Sequence, residues 1–367
     1  MSASLSKVAR TVLSGEDRSA RATMLRGMMR VAEVGYAAGV GVRNLMYARG
    51  VLGMRRVGVP VVSVGNITTG GTGKTPVVRW LVEQLRGVGY RPGVLIRGYK
   101  RAAGGVSDEQ AMLEEMLEGG GVHAEADRGA GAKKVLAEHP EVDVLVLDDG
   151  FQHRRMGREF DLVLVDGREP FGYRHVLPRG LLREPMRGLG RADAFVITHS
   201  DEIAEREQRA IEEELRSHNA AAPVYRARHV QTGLRAGEQW LEMGKLGGRR
   251  FYAAAGIGRP EGLERKLAQF GAGYCGHRWF EDHHDYGEED LAAVRREAKA
   301  AGADVVIVTE KDWAKIRRLA GAGDDRMPIW RLEMRIAFEG QGESGLLEFV
   351  CTTIEKKRAD ERTEQRC

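Results

Sequence analysis

The chain has 367 residues, 42% of them apolar and 30% charged, with a formal net charge of +4. That length suffices for two domains with sizeable cores, and the small charge excess is not the concentrated basic and aromatic stripe that nucleic acids require. Cys275, Cys351 and Cys367 are too far apart for metal-ligand spacing and fit a reducing compartment, and no run reaches the roughly 18–20 apolar residues of a membrane span.

Residues from Met1 to about Arg21 are polar and read as a poorly ordered start. From Met24 to Met54 the composition changes. Met24, Leu25, Met28, Met29, Val31, Val34, Leu45 and Met46 alternate with Arg26, Arg30, Arg43 and Arg49. Basic residues beside an apolar, Met-rich face suit a helix lying on an anionic membrane surface. The same pattern also suits a helix packed on the body of the protein with solvated arginines, and the spacing does not choose between them.

Val59 to Asn66 is an apolar run, followed by Ile67-Thr68-Thr69-Gly70-Gly71-Thr72-Gly73-Lys74-Thr75-Pro76. This predicts a buried strand, a glycine-rich loop and a helix start. Glycines let successive N–H groups face one point, and the helix dipole adds positive potential there. Gly70, Gly71, Thr72, Gly73, Lys74 and Thr75 therefore read as a phosphate cradle for a nucleoside triphosphate. Lys74 faces the β/γ phosphates and the Thr75 hydroxyl is a candidate Mg²⁺ ligand. Thr68 stands where the strict pattern has glycine.

Val77 to Leu85 predicts the following helix and Arg91 to Ile96 a second strand. Arg97 to Ser107 reads as a basic, glycine-rich loop, and Asp108-Glu109 opens a helix through Leu117. Acids in a first helical turn also serve as caps. Arg128 precedes a helix over Ala130–Ala137. Val142 to Leu147 is a second apolar run, ending in Asp148-Asp149-Gly150-Phe151-Gln152-His153. Such a run fits a parallel strand buried on both faces, and carboxylates at its C-terminal end lie where open α/β sheets bind ligands. Downstream of a P-loop their fitting role is Mg²⁺ coordination, by Asp148 or Asp149.

Further strands are expected at Asp161–Val165, Ala194–Thr198 and Pro223–Ala227, with a charged amphipathic helix over Glu202–Ser217. Between the first two lies a long irregular segment containing Leu182-Arg183-Glu184-Pro185, where Arg183 could answer phosphate charge or pair with a surface acid. Val230 to Arg249 reads as a connector with short strands. A new α/β pattern follows: strand Phe251–Ala255, a Gly256-Ile257-Gly258-Arg259-Pro260 turn, a helix to Phe270, strand Tyr274–Phe280, helix Glu288–Ala301, strand Val305–Thr309 and strand Pro328–Ile336. The tail after about Glu355 is charged and reads as frayed. Asp282, His283, His284 and Asp285 resemble metal ligands only superficially, since adjacent histidines seldom point at one ion. A histidine orienting a carboxylate is the better use.

A hydroxyl attacking a γ-phosphate needs a proton acceptor, cations and Mg²⁺. The chain offers Asp108, then Lys74, Arg128 and Arg183, then Asp148 and Asp149. Together with Arg97-Gly98-Tyr99, Phe280-Glu281-Asp282-His283 and Thr309-Glu310-Lys311-Asp312, these stretches run in one order over nearly the whole chain, and in that order the chain resembles the tetraacyldisaccharide 4′-kinase family of the lipid A pathway.

The resemblance implies a P-loop kinase domain over 58–229, with the helical segment 1–57 beside it. A short two-stranded connector at 230–250, a smaller α/β domain over 251–355 and a charged tail at 356–367 follow. It implies ATP, Mg²⁺, an acylated disaccharide 1-phosphate acceptor, and peripheral contact with the cytoplasmic face of an anionic inner membrane. No nucleic-acid partner and no obligate protein partner are expected. By the same resemblance, Asp108 is the catalytic carboxylate and His283 its partner, and Glu109, Arg128 and Arg183 are further active-site residues. The competing readings are a membrane-surface P-loop ATPase switch and a GTP-dependent chaperone, since Thr309-Glu310-Lys311-Asp312 is loosely similar to a guanine-reading loop.

Overall fold

Each apolar run that the sequence marks as doubly buried becomes a parallel strand. In the computed structural model, residues 10–97, 113–114, 121–237, 239–258, 260–281, 284–319 and 327–364 are described. They fall into two units, Ser4–His229 with Ile336–Cys367, and Val230–Arg335.

The first long helix of the first unit is α1 (Ala20–Ala48). Then follow β1 (Val61–Asn66), α2 (Lys74–Gly87), β2 (Pro92–Ile96), β3 (Val122–Ala124), α3 (Arg128–Glu138), β4 (Val144–Asp148), β5 (Phe160–Asp166), β6 (Ala194–Thr198), α4 (Glu205–His218) and the start of β7 (Val224–Ala236). The strand order is β7-β6-β5-β1-β4-β2-β3, and every pair among them is parallel. β1 lies between β4 and β5, with Val64 beside Asp148 and Asn66 beside Leu164. Chain connections diverge at that point, and ligands of open α/β sheets bind at the carboxyl ends of strands there.

Every residue of β1, β4, β5 and β6 is buried, because helices cover both faces. On one face α2 presents Val77, Val78, Leu81, Val82 and Leu85, a one-sided helical spacing, to Val62, Val64, Val144 and Val146. On the other, Leu95, Leu145 and Leu147 pack with Ala132 and Val135 of α3.

The second unit holds the end of β7, β8 (Gln239–Glu242), β9 (Phe251–Gly256), α5 (Pro260–Ala268), β10 (Tyr274–Phe280), α6 (Glu288–Ala300), β11 (Val305–Thr309), α7 (Glu310–Ile316) and the start of β12 (Ile329–Phe338). β10, β9, β11 and β12 are mutually parallel neighbours. β7 and β8 form the short two-stranded antiparallel element, Gly233 opposite Glu242.

Two segments depart from the sequence reading. β7 runs to Ala236 rather than ending near Ala227, so the expected connector begins as a continuation of a strand. The segment after Ile336, read as the end of the smaller domain and a frayed tail, belongs to the first unit. There α8 (Gly342–Glu364) sets Leu346, Val350 and Ile354 into the α2 core with no exposed surface. Glu343 Oε1 accepts from Trp80 Nε1 at 2.9 Å. The i, i+4, i+8 spacing makes this face, but which unit it covers depends on contacts distant in sequence.

Candidate active site

β1 delivers the chain to its C-terminal edge at Asn66, and α2 begins at Lys74. Gly73, its N-cap, has φ 74° and ψ 28°, a left-handed conformation that glycine adopts without penalty. A Cβ there would also lie 2.7 Å from His229 Cε1. Thr72 is buried, and its carbonyl accepts from Thr198 Oγ1 at 3.0 Å.

On the other flank the loop is held by the 181–183 segment. Thr69 N donates to Leu181 O at 2.7 Å, Arg183 N to Ile67 O at 2.8 Å, and Thr68 bridges Leu182 in antiparallel fashion. A side chain is accommodated at position 68 because this backbone is extended and paired, with its carbonyl accepting from Asn66 Nδ2 at 2.8 Å.

The same pairing brings Arg183 to the site. Its NH1 donates to both oxygens of Asp149, at 2.7 and 2.8 Å. Lys74 Nζ lies 3.5 Å from Asp149 Oδ1 and donates to Asn66 Oδ1 at 3.3 Å. Two cations thus converge on one carboxylate at the mouth of the phosphate loop. Burial pushes the Asp149 carboxyl up, but Lys74 and Arg183 outweigh it and hold it below the ordinary carboxylate value. Asp149 has φ 55°, rare for a side chain outside glycine, and such conformations concentrate at functional sites.

Asp148 ends β4 and is buried. Its carbonyl accepts from Arg128 NH2 at 3.3 Å, and Arg128 NH1 donates to Ile96 O and, at 2.6 Å, to Glu125 O. Arg128 therefore ties together the ends of β2 and β4 and the turn before α3. It is 2% exposed, and desolvation lowers its pKa to about 10 against the pull of Asp148 and Asp149, which leaves it charged at neutral pH. Asp108, Glu109 and His283 lie outside the described residues.

Six residues given no role by sequence reasoning, Asn66, Gln152, Asp166, Arg168, His199 and His229, belong here. Asn66 receives Lys74. Gln152 Nε2 donates to Asn66 O at 2.9 Å and to Glu184 Oε1 at 3.0 Å. The rings of His199 and His229 lie tilted at 56° with centroids 4.3 Å apart, beside Gly73. His199 Nδ1 lies 3.2 Å from Asp166 Oδ1, and Arg168 grips the same carboxylate at 2.8 Å. The available signal was position: Asn66, Asp166 and His199 each end or follow a buried strand at the ligand edge.

α1 closes one side of the unit with its polar face. Glu33 accepts from Val176 N at 3.1 Å, Tyr36 OH donates to Arg183 O at 2.9 Å, and Asn44 Nδ2 donates to the fully buried Glu184 at 3.1 Å. Its apolar residues point outward. Met24 is 70%, Met28 61%, Val31 75% and Val34 64% exposed. This reverses the usual burial of an amphipathic helix. No helix among the described residues is long and apolar enough to cross a membrane.

The family model described as tetraacyldisaccharide-1-P 4′-kinase matches residues 25–354. A tetraacyldisaccharide 4′-kinase from Anaeromyxobacter sp. (strain K) is 38% identical over 325 residues, covering 83% of this chain and 85% of the relative. One from Syntrophus aciditrophicus (strain SB) is 38% identical over 329 residues, covering 82% and 86%. The crystal structure of LpxK from Aquifex aeolicus in complex with ATP superposes with a TM-score of 0.69 at 26% identity, covering 90% of this chain and 99% of that one. With the P-loop, the acids at the end of β4 and Arg183 assembled in one unit, these matches show that the chain belongs to the tetraacyldisaccharide-1-P 4′-kinase family.

Proposed function

We propose that this kinase moves the γ-phosphoryl group of ATP directly onto the 4′-hydroxyl of a tetraacylated glucosamine disaccharide 1-phosphate, working at an anionic membrane surface. The observation that carries the reading is the convergence of Lys74 and Arg183 on Asp149 beside the left-handed Gly73. The related LpxK solved with ATP supports that nucleotide as donor.

In this reading, the backbone of Gly70 to Gly73 and the start of α2 hold the β and γ phosphates. Lys74 balances their charge, and Arg183 swings its charge from Asp149 toward the transferred group as that carboxylate takes up its own task. The donor set suits Mg²⁺: the Thr75 hydroxyl and the carboxylates of Asp148 and Asp149 are hard oxygen ligands. Asp149, already ionised between two cations, is the carboxylate we assign to the metal side, with Asp148 behind it. When bound, the ion would neutralise phosphate charge as the reaction proceeds. The proton acceptor is Asp108, with His283 as its partner, on the strength of the motif match. Glu109 and Arg128 complete the set, Arg128 by bracing the ends of β2 and β4.

The outward apolar face of α1, flanked by Arg30, Arg43 and Arg49, supports peripheral binding to anionic lipid, which would set the acyl chains of the acceptor beside the site. The test is incubation with γ-labelled ATP and the tetraacyl disaccharide 1-phosphate, followed by lipid analysis. Label in a new 4′-phosphate is the expected result. Label released only as inorganic phosphate would favour the ATPase switch.

A further inference from the structure

A second constellation lies in the first unit, beside β3, the edge strand of its sheet. α3 starts at Arg128, beside the carboxyl end of β4, and ends at Glu138, shortly before β4 begins at Val144. Eleven helical residues at 1.5 Å each separate the two ends by roughly 16 Å. At the far end, one ligand atom from each of His123 on β3, Glu138 and His139 falls within 4.8 Å of the others. We propose that these three side chains form a binding site for one divalent transition-metal ion of the zinc class.

The separations suit a common ion better than direct pairing. His123 Nε2 and Glu138 Oε2 are 3.5 Å apart, too far for a good hydrogen bond. Two ligands at about 2.0 Å from a tetrahedral ion lie about 3.3 Å apart. The two rings meet edge to face with centroids 5.9 Å apart, so neither blocks the other's nitrogen. Glu138 and His139 are partly exposed, and small rotations of both close the shell. Glu141 Oε1 lies 3.4 Å from His139 Nδ1 and brings a second carboxylate to the rim. Lys134 Nζ stands 3.9 Å from Glu138 Oε1, a solvated contact that an ion would replace.

The donor chemistry narrows the ion. Two imidazoles and a carboxylate match Zn²⁺, Co²⁺ or Ni²⁺, whereas Mg²⁺ and Ca²⁺ take oxygen ligands. Metal here would pin β3 to the C-terminal end of α3. The site is independent of the kinase reading, because it uses none of the cradle residues.

The experiment uses the full chain stripped with EDTA. Zn²⁺ binding is measured by equilibrium dialysis and Co²⁺ binding by visible absorption, in the wild type, in the double variant His123→Ala/His139→Ala and in Glu138→Gln. The wild type should bind one equivalent more Zn²⁺ than the double variant, and the Co²⁺ band should vanish in the double variant and shift in Glu138→Gln. Binding at the carboxylates of the cradle is common to all and cancels. Equal Zn²⁺ stoichiometry and an unchanged Co²⁺ band would overturn the site. If the double variant fails to fold, judged by its metal-free melting curve, His139→Gln at the more exposed position gives the same comparison.

Discussion

Lys74, Arg183 and Asp149 show how far single residues could be read from the text. Lys74 was legible because its neighbours in sequence are its neighbours in the loop. Arg183 was legible from its own residues only as one of two uses, phosphate contact or surface ion pair, and as a site residue only through the family resemblance; the pairing of the 181–183 segment with Ile67 and Thr69 is what carries it to the cradle. The proposed choice of Asp149 over Asp148 rests on the two cations that meet Asp149, a convergence that no local pattern announced. Lys74→Ala should lower kcat/KM by about 10²–10³-fold, the scale of losing one fixed electrostatic group at the reacting centre; steady-state kinetics with ATP and the lipid acceptor measures it. Gly73→Ala combines a left-handed strain of about 1–2 kcal/mol with the close approach of His229, so calorimetric ATP binding should be lost while the fold survives. Asp166 gives a pH prediction. Burial raises its pKa, but the contacts with His199 and Arg168 outweigh this and depress it well below the ordinary 3.8. Its ionised form therefore contributes stability in full above that ordinary value, and the contribution fades as pH falls below it. Asp166→Asn should lower Tm near neutrality and flatten the acid-side slope of Tm against pH. An unchanged slope would remove Asp166 as its source.

Among elements, α1 carried the clearest ambiguity. Its sequence allowed either a membrane-facing or a core-packed helix, since the arginines and methionines are interleaved. The structure places Glu33, Tyr36 and Asn44 against the body of the unit and leaves Met24, Met28, Val31 and Val34 outside. Sequence periodicity finds an apolar stripe but not the surface it meets. Met28→Glu/Val31→Glu adds charge to that stripe without touching a buried contact. Sedimentation with anionic vesicles should fall several-fold while Tm stays near the wild-type value. Unaltered vesicle binding would make the exposed stripe irrelevant to lipid. The strands behave differently. β1, β4 and β6 were legible almost to the residue, because doubly buried parallel strands are uninterrupted apolar runs.

For the whole molecule, the two-part α/β plan was legible from the restart of strand and helix patterns at Phe251. The return of the chain into the first unit was not. α8 has an apolar spacing that would suit either unit, and Leu346 joins Val77 and Leu81 through contacts more than 250 positions apart. Leu346→Ala should cost about 2–5 kcal/mol, the range for emptying a fully buried leucine site, read as a lower urea midpoint with an unchanged slope. The proposed catalytic pair, Asp108 and His283, rests on motif order alone. The kinase account as a whole makes one demand that a timing ATPase does not: nucleotide is spent only when the acceptor is phosphorylated. ADP formed and 4′-phosphorylated lipid formed, measured in the same reaction with and without the tetraacyl disaccharide 1-phosphate, test it directly. The account predicts equimolar products and negligible ADP without acceptor. ADP in large excess over phosphorylated lipid, formed at the same rate with no acceptor present, would contradict it.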